Sequence, residues 1–292
     1  MESSKPLILL TGASSGLGLC LAKFLAQKNE FRLVLTAREE SLKRFEVYSE
    51  FKNNSNIIFR PLEVTNSEQR ETLIAELNEI YGGVDILINN AGITYRSVVE
   101  HVEEKERIHQ METNFRSPME LTRLVLPKMR EKRKGKIINI SSVSGMMAMP
   151  TMSVYSASKF ALEGASESLW YEVKPWNVHV TLIQPGFIRS SSFHNTLLTH
   201  LSADALKNPK NPYFSHYKHM SKLIEKLMTY TVSTEENISK CIYKVIQSKK
   251  PSLRVPATFD AKLFYIFRRL VPQRFYHILL YKLLPKVKEW GS

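Results

Sequence analysis

Tyr155-Ser156-Ala157-Ser158-Lys159 sets a phenol and an ammonium four residues apart. On a helix that spacing puts both on one face, with Cβ atoms about 6 Å apart. A phenol with a reference pKa of about 10 is a poor base at neutral pH. A neighbouring cation favours the phenolate and draws that value toward the working range. The pair can therefore give a proton to a carbonyl oxygen under reduction, or take one from an alcohol under oxidation. An exposed amphipathic helix has the same spacing, so the rest of the chain must decide.

A second group lies near the start. Thr11-Gly12-Ala13-Ser14-Ser15-Gly16-Leu17-Gly18 follows a short apolar run and opens an apolar-periodic segment. Glycines there permit a tight turn and close backbone approach, and the N-terminal end of a helix dipole suits a pyrophosphate. A plain glycine-rich turn is the bland alternative, and the strand–turn–helix context favours the dinucleotide site.

The elements around these residues alternate. Pro6–Leu10, Arg32–Ala37, Ile57–Pro61, Val84–Ile88, Lys136–Ile140 and Val178–Ile183 read as continuous apolar strands. Helical periodicity occupies about 16–28, 41–53, 67–81, 103–131 and 153–173, with caps expected at Ser67 and Ser153. Strands apolar on both faces belong to a parallel sheet covered by helices. The expected class is α/β, a doubly wound parallel sheet of the Rossmann type. After Pro185 the pattern loosens into a substrate loop at about 187–232, followed by a helix near 235–247 and a strand near 252–255. One domain over 1–256 with a helical extension over 257–292 is the simplest division.

The T-G-x-x-x-G-x-G spacing, rather than G-x-G-x-x-G, resembles the short-chain dehydrogenase/reductase family. So do Asn89-Asn90-Ala91-Gly92 after the fourth strand, Ser141-Ser142 after the fifth, the Tyr155/Lys159 pair and Pro185-Gly186 after the sixth. The resemblance covers roughly residues 5–250, nearest to hydroxysteroid and retinol dehydrogenase-like members. It implies hydride exchange between a nicotinamide and a substrate carbon, with Tyr155 moving the proton. It further implies that Ser142, thirteen residues before Tyr155, orients the substrate oxygen. Asn114 would hold a water against Lys159, and Lys159 would bind the nicotinamide ribose. Gly12, Ser14, Ser15, Gly16, Leu17, Gly18, Val64, Asn90, Ala91, Gly92, Pro185, Gly186, Ile188 and Ser190 would line the cofactor. Glu63 is one methylene longer than the Asp of relatives, which shifts the adenine contact to the Val64 backbone. No metal is needed, and the histidines show no ligand spacing.

Cofactor choice turns on the end of the second strand, where NAD enzymes carry an acid for the ribose 2′-hydroxyl. Here Ala37 stands in that place and Arg38 follows. A guanidinium grips a 2′-phosphate bidentately, so NADP(H) is expected, against the plainer reading of a solvated arginine.

The net charge is +13 over 292 residues. Residues 257–292 hold seven Lys or Arg against Asp260 and Glu289, and no nucleic-acid motif accompanies them. No apolar run nears the roughly 18 residues that span a bilayer, and no secretory leader is legible. With two widely spaced cysteines, a cytoplasmic chain is expected, in peripheral contact with membrane through 257–292. A dimer interface or a cover over the pocket would explain the same tail, and a homo-oligomer is expected by analogy. The loops expected to set specificity are Gly145–Met152, Thr94–Val99 and 187–230, and their Met146, Met147, Met149, Met152, Phe187, Phe193, Phe214, Tyr217 and Met220 suit either a lipophilic pocket or a packed lid. The expected substrate is a hydrophobic alcohol or carbonyl compound of steroid, retinoid or lipid character. The alternative is a non-catalytic NADPH-binding regulator.

Overall fold

A computed structural model describes residues 5–189 and 196–291. Seven parallel strands form one sheet in the order β3-β2-β1-β4-β5-β6-β7. They are β1 (Leu7–Leu10), β2 (Arg32–Ala37), β3 (Ile57–Pro61), β4 (Ile86–Asn89), β5 (Gly135–Ile140), β6 (Val178–Gln184) and β7 (Arg254–Pro256). The order reverses at β1, which pairs with β2 on one side and β4 on the other. Ligands of such sheets bind outside the carboxyl ends of the strands at that switch point.

Two apolar layers cover the sheet. On one face α1 (Gly16–Lys28) and α8 (Glu235–Gln247) bury Leu21, Leu25, Ile238 and Ile242 against Ile8, Leu33 and Ile138. On the other, α2 (Ser67–Tyr81), α4 (Ser117–Glu131) and α5 (Ser153–Val173) bury Leu77, Leu121, Val125 and Leu169 against Leu9, Leu87 and Val180. This is why the strands read as unbroken apolar runs.

Some local expectations change. The stretch at 41–53 is two short 3-10 turns, Glu39–Phe45 and Ser49–Phe51, because Phe45 must stack on Phe59 of β3 at 4.7 Å and meet Phe51 edge-on. The helix at 103–131 is α3 (Glu104–Met111), a π-helical turn over Glu112–Arg116, and α4. The Ser117 hydroxyl donates to the Glu112 carbonyl there, and Pro118 supplies no N–H of its own. Asn66 rather than Ser67 caps α2, accepting from the Gln69 N–H. Met152 rather than Ser153 is the N-cap of α5, with no side-chain bond. The loose region contains α6 (His200–Lys207), capped by Thr199, and α7 (Phe214–Tyr230). The tail forms α9 (Phe259–Leu270) and α10 (Gln273–Leu283), parted at Pro272.

Tyr217 and Met220 of α7 are fully buried packing rather than pocket wall. The Tyr217 hydroxyl accepts from the Val98 N–H and meets His101 Nδ1 at 3.0 Å, fastening the lid helix to the loop after β4. No helix among the described residues is long and apolar enough to cross a membrane.

Candidate active site

The loop after β1 is locked to the loop after β4. Thr11 Oγ1 accepts from the Asn90 and Ala91 N–H groups, each at 3.0 Å, and Asn90 Nδ2 donates to the carbonyls of Thr11 and Gly12. Gly12 has φ +65°, and a Cβ added there would stand 2.8 Å from Ala91 Cα. A Cβ on Gly18 would lie 2.1 Å from the Gly12 carbonyl oxygen. These glycines bring three backbone segments together at the start of α1, so the cradle is built by contact as well as by turn geometry.

One cavity of about 880 Å³ runs along the carboxyl ends of β1 to β6. Its wall holds Gly12, Ser14, Ser15, Gly16, Leu17, Gly18, Arg38, Val64, Asn90, Ala91, Gly92, Ser142, Tyr155, Lys159, Pro185, Gly186 and Ile188. Glu63 stands in the wall too, with its carboxylate accepting from the Thr65 N–H and hydroxyl. Asn114 is buried behind it. Ser190 and Phe193 lie outside the described residues. The wall also includes Thr94 and Arg96, from the 94–99 loop expected to face the substrate, and Arg44, which the sequence did not single out. Arg44 sits at the end of a turn read as ordinary helix.

Tyr155 is half-buried and hydrogen-bonded to the side chains of Ser142 and Thr94. Burial pushes its phenol above the usual range, and those two bonds work against the rise. This departs from the expected lowering by Lys159. The lysine is buried, its ammonium donates to the Ile140 carbonyl at 2.8 Å, and it stands 5.8 Å from the Tyr155 ring centre. Burial also brings Lys159 down to about 8, with Glu163 opposing that fall. Burial thus favours the neutral form of both groups.

Asn114 lies in the π-helical turn. Its Oδ1 accepts from the Ile93 N–H, and its Nδ2 donates to the Ile93 carbonyl and to Ser158 Oγ. Ser158 Oγ in turn donates to the Tyr155 carbonyl. The side chain of Asn114 therefore ties the loop after β4 to the helix that carries Tyr155. That helix is fixed at its other face by Glu163, which accepts from Arg254 Nε of β7 at 2.9 Å and from Gln184 Nε2 of β6 at 3.0 Å.

The loop after β6 is held by the tail. The Gly186 N–H donates to Thr258 Oγ1 and the Phe187 N–H to Asp260, both at the start of α9. Phe264, Phe267 and Leu280 pack with Tyr276 on Val143 and Met147, and the latter two stand in the cavity wall. The extension is thus built into the site.

The sequence profile described as short chain dehydrogenase matches residues 6–200. The chain belongs to the short-chain dehydrogenase/reductase family. It is 34% identical over 248 residues to a 3-ketodihydrosphingosine reductase of Bacteroides thetaiotaomicron, covering 85% of this chain and 86% of that one. Over 260 residues it is 31% identical to retinol dehydrogenase 8 of Bos taurus, covering 87% and 82%. Among solved structures, a short-chain dehydrogenase from Streptomyces avermitilis superposes with a TM-score of 0.80 at 27% identity, covering 97% of this chain and 98% of that one. The protein is a dehydrogenase or reductase, and members of its family use nicotinamide cofactors.

Proposed function

We propose that this short-chain dehydrogenase/reductase interconverts a hydrophobic alcohol and its ketone or aldehyde with NADP(H), Tyr155 acting as general acid and base. The observation that carries the reading is the Tyr155 phenol, bonded to Ser142 and Thr94 in the wall of a cavity it shares with the glycine turn. The residues present fit a phosphorylated dinucleotide. Backbone N–H groups of Ser15 to Leu17 at the start of α1 would receive a pyrophosphate. Arg38 follows Ala37 at the end of β2, and Arg44 stands in the next turn. Arg38, now paired with Glu40 at 3.2 Å, would exchange that partner for a 2′-phosphate. When bound, the nicotinamide supplies or accepts the hydride. Lys159 orients it through its ribose, and Ser142 and Tyr155 hold the substrate oxygen in place.

The protonated state of the phenol suits reduction. A neutral Tyr155 donates its proton to the carbonyl oxygen as that oxygen gains charge, and Ser142 donates a second hydrogen bond to the same atom. Asn114 keeps the loop after β4 and the helix of Tyr155 in register through Ile93 and Ser158. Met147, Met149, Met152 and Phe187 give the substrate end of the cavity an apolar, adaptable wall.

For cofactor choice, Arg38→Ala is expected to raise the KM for NADPH by about tenfold or more, the usual scale for a lost charge-assisted bond. The KM for NADH should change far less. Steady-state kinetics with each cofactor decide it, and equal losses for both would remove Arg38 from that role.

The tail supports peripheral contact with an anionic membrane. Phe259, Leu263, Ile266 and Leu270 recur at helical spacing on α9 and are each more than half exposed, and Phe275, Ile278 and Leu279 continue the outward apolar face on α10. Arg269, Arg274 and Lys282 flank them, the arginines lying over the rings of Tyr265 and Phe275. Such a surface suits the headgroup layer. Changing Leu263, Ile266 and Leu270 together to Ser should release the protein from anionic vesicles in a flotation assay. Retained binding by the variant would refute the contact. Deleting 257–292 is a poorer test, since it also removes Thr258 and Asp260 from the loop after β6.

A further inference from the structure

Lys159 and Glu163 stand four residues apart on α5, so they share a face of the helix, with Cβ atoms about 6 Å apart. Both are buried, at 6% and 5% exposure. A buried carboxylate is costly unless its oxygens are bonded. Here Oε1 accepts from Gln184 Nε2 of β6, and Oε2 accepts from Arg254 Nε of β7. Arg254 reaches on to Glu167 through Nη2 at 2.7 Å. Glu163 also packs under the loop of Ser142, since a Cβ on Gly145 would stand 2.9 Å from its Cγ. Both of its partners lead to the loop after β6. Gln184 directly precedes Pro185-Gly186, and Arg254 lies four residues before Thr258, which accepts from the Gly186 N–H.

An anion beside a desolvated ammonium counts for more than it would in water, because the interior screens charge poorly. Burial works against the charged form of Lys159, and Glu163 is the charge that opposes it. The ionisable groups on the elements packed around α5 have other partners. Glu112 and Arg116 of the π-helical turn pair with each other, Glu106 of α3 lies 3.8 Å from Lys105, and His109 meets Tyr95. Asp260 of α9 accepts from the Phe187 N–H. Lys136 and His179 lie at the amino ends of β5 and β6, whereas Ile140 ends β5. Tyr155 is the remaining titratable neighbour, and burial keeps it neutral. We infer that Glu163 is a positioning residue of the reaction, the counter-ion of the Lys159 ammonium and the tie that seats α5 against the loop after β6. This rests on the catalytic reading above and names the group that sets its alkaline limit.

The test follows Lys159 itself, through the ε-carbon NMR signal of isotope-labelled lysine across pH, assigned by its loss in Lys159→Met. The pH profile of kcat for ketone reduction is taken alongside. Wild type should titrate at about 8. Glu163→Gln keeps the shape of the side chain and removes only its charge, so the midpoint and the alkaline limb of kcat should both fall by about one unit. Arg254→Gln removes the opposing charge, and both should rise. Glu167→Gln loosens the same arginine but lies eight residues from Lys159, about 12 Å along the helix, and should move the midpoint much less. A purely structural tie would lower activity in the variants at 163 and 254 without opposite shifts. An unmoved midpoint in Glu163→Gln, shifts of one sign in both variants, or an equal shift in Glu167→Gln would overturn the inference. Melting curves check folding. If Glu163→Gln does not fold, Arg254→Gln decides alone, and a midpoint that fails to rise overturns the inference. If no compound is turned over, the lysine midpoint still decides the counter-ion, and the catalytic reading alone fails.

Discussion

Tyr155→Phe is expected to lower kcat for carbonyl reduction by about a thousandfold, within the usual range for removal of a positioned proton donor. The ring fills the same space, so the packing of α5 should hold and NADPH should still bind. What is lost is the phenol hydroxyl, the group bonded to both Ser142 and Thr94 at the place where the substrate oxygen must sit. Steady-state turnover and fluorescence titration of NADPH, taken on the same preparation, separate the two effects. A variant that keeps more than about a tenth of wild-type kcat would remove Tyr155 from the proton step.

Lys159→Met should abolish activity and yet stabilise the cofactor-free fold. The buried ammonium has been brought from the ordinary 10.5 to about 8, and one pKa unit corresponds to about 1.4 kcal/mol. At pH 7 the lysine is charged in both states, and the folded state bears a penalty of order 3 kcal/mol, lessened by the bond to the Ile140 carbonyl. The sign follows from proton counting. Between about 8 and 10.5 the unfolded chain holds a proton that the folded chain has released, so wild-type stability should rise with pH across that window. Below 8 both states are protonated and the slope from this group vanishes. The variant should lack the slope and melt several degrees higher at pH 7, at roughly 2–4 °C per kcal/mol for a chain of this size. Reduction by wild type should hold up to about pH 8 and fall above it as Lys159 loses its charge. A variant that melts lower than wild type at pH 7 would mean that the ammonium is fully satisfied where it lies.

The glycine turn, the Asn-Asn-Ala-Gly loop and the Tyr155/Lys159 pair were readable because each is a local pattern set by backbone need or helical spacing. The parallel sheet was readable for the same reason, since strands buried on both faces leave unbroken apolar runs. What the chain did not disclose depends on tertiary contact. The 94–99 loop was expected to face the substrate, but its residues did not show that Leu197, a hundred residues on, bonds the backbone of Thr94 and Arg96 there. The phenol rises rather than falls because burial outweighs its bonds to Ser142 and Thr94, while the Lys159 ammonium bonds the Ile140 carbonyl, and neither is set by the i, i+4 spacing. Tyr217 and Met220 read equally as pocket or packing because aromatic and methionine side chains look alike in a wall and in a core; burial decides, and it put them in the core. The extension read as separable because its composition changes at 257, yet Thr258 and Asp260 hold the backbone of Gly186 and Phe187.

The most direct measurement follows nicotinamide absorbance while the purified full-length protein is offered NADPH and a panel of hydrophobic ketones and aldehydes, with NADH run in parallel. Oxidation of NADPH by at least one class of these compounds, much faster than oxidation of NADH, is the expected result. Tight binding of NADPH with no oxidation by any of them, and no reduction of NADP with the matching alcohols, would contradict catalysis at Tyr155 and favour a protein that senses the cofactor.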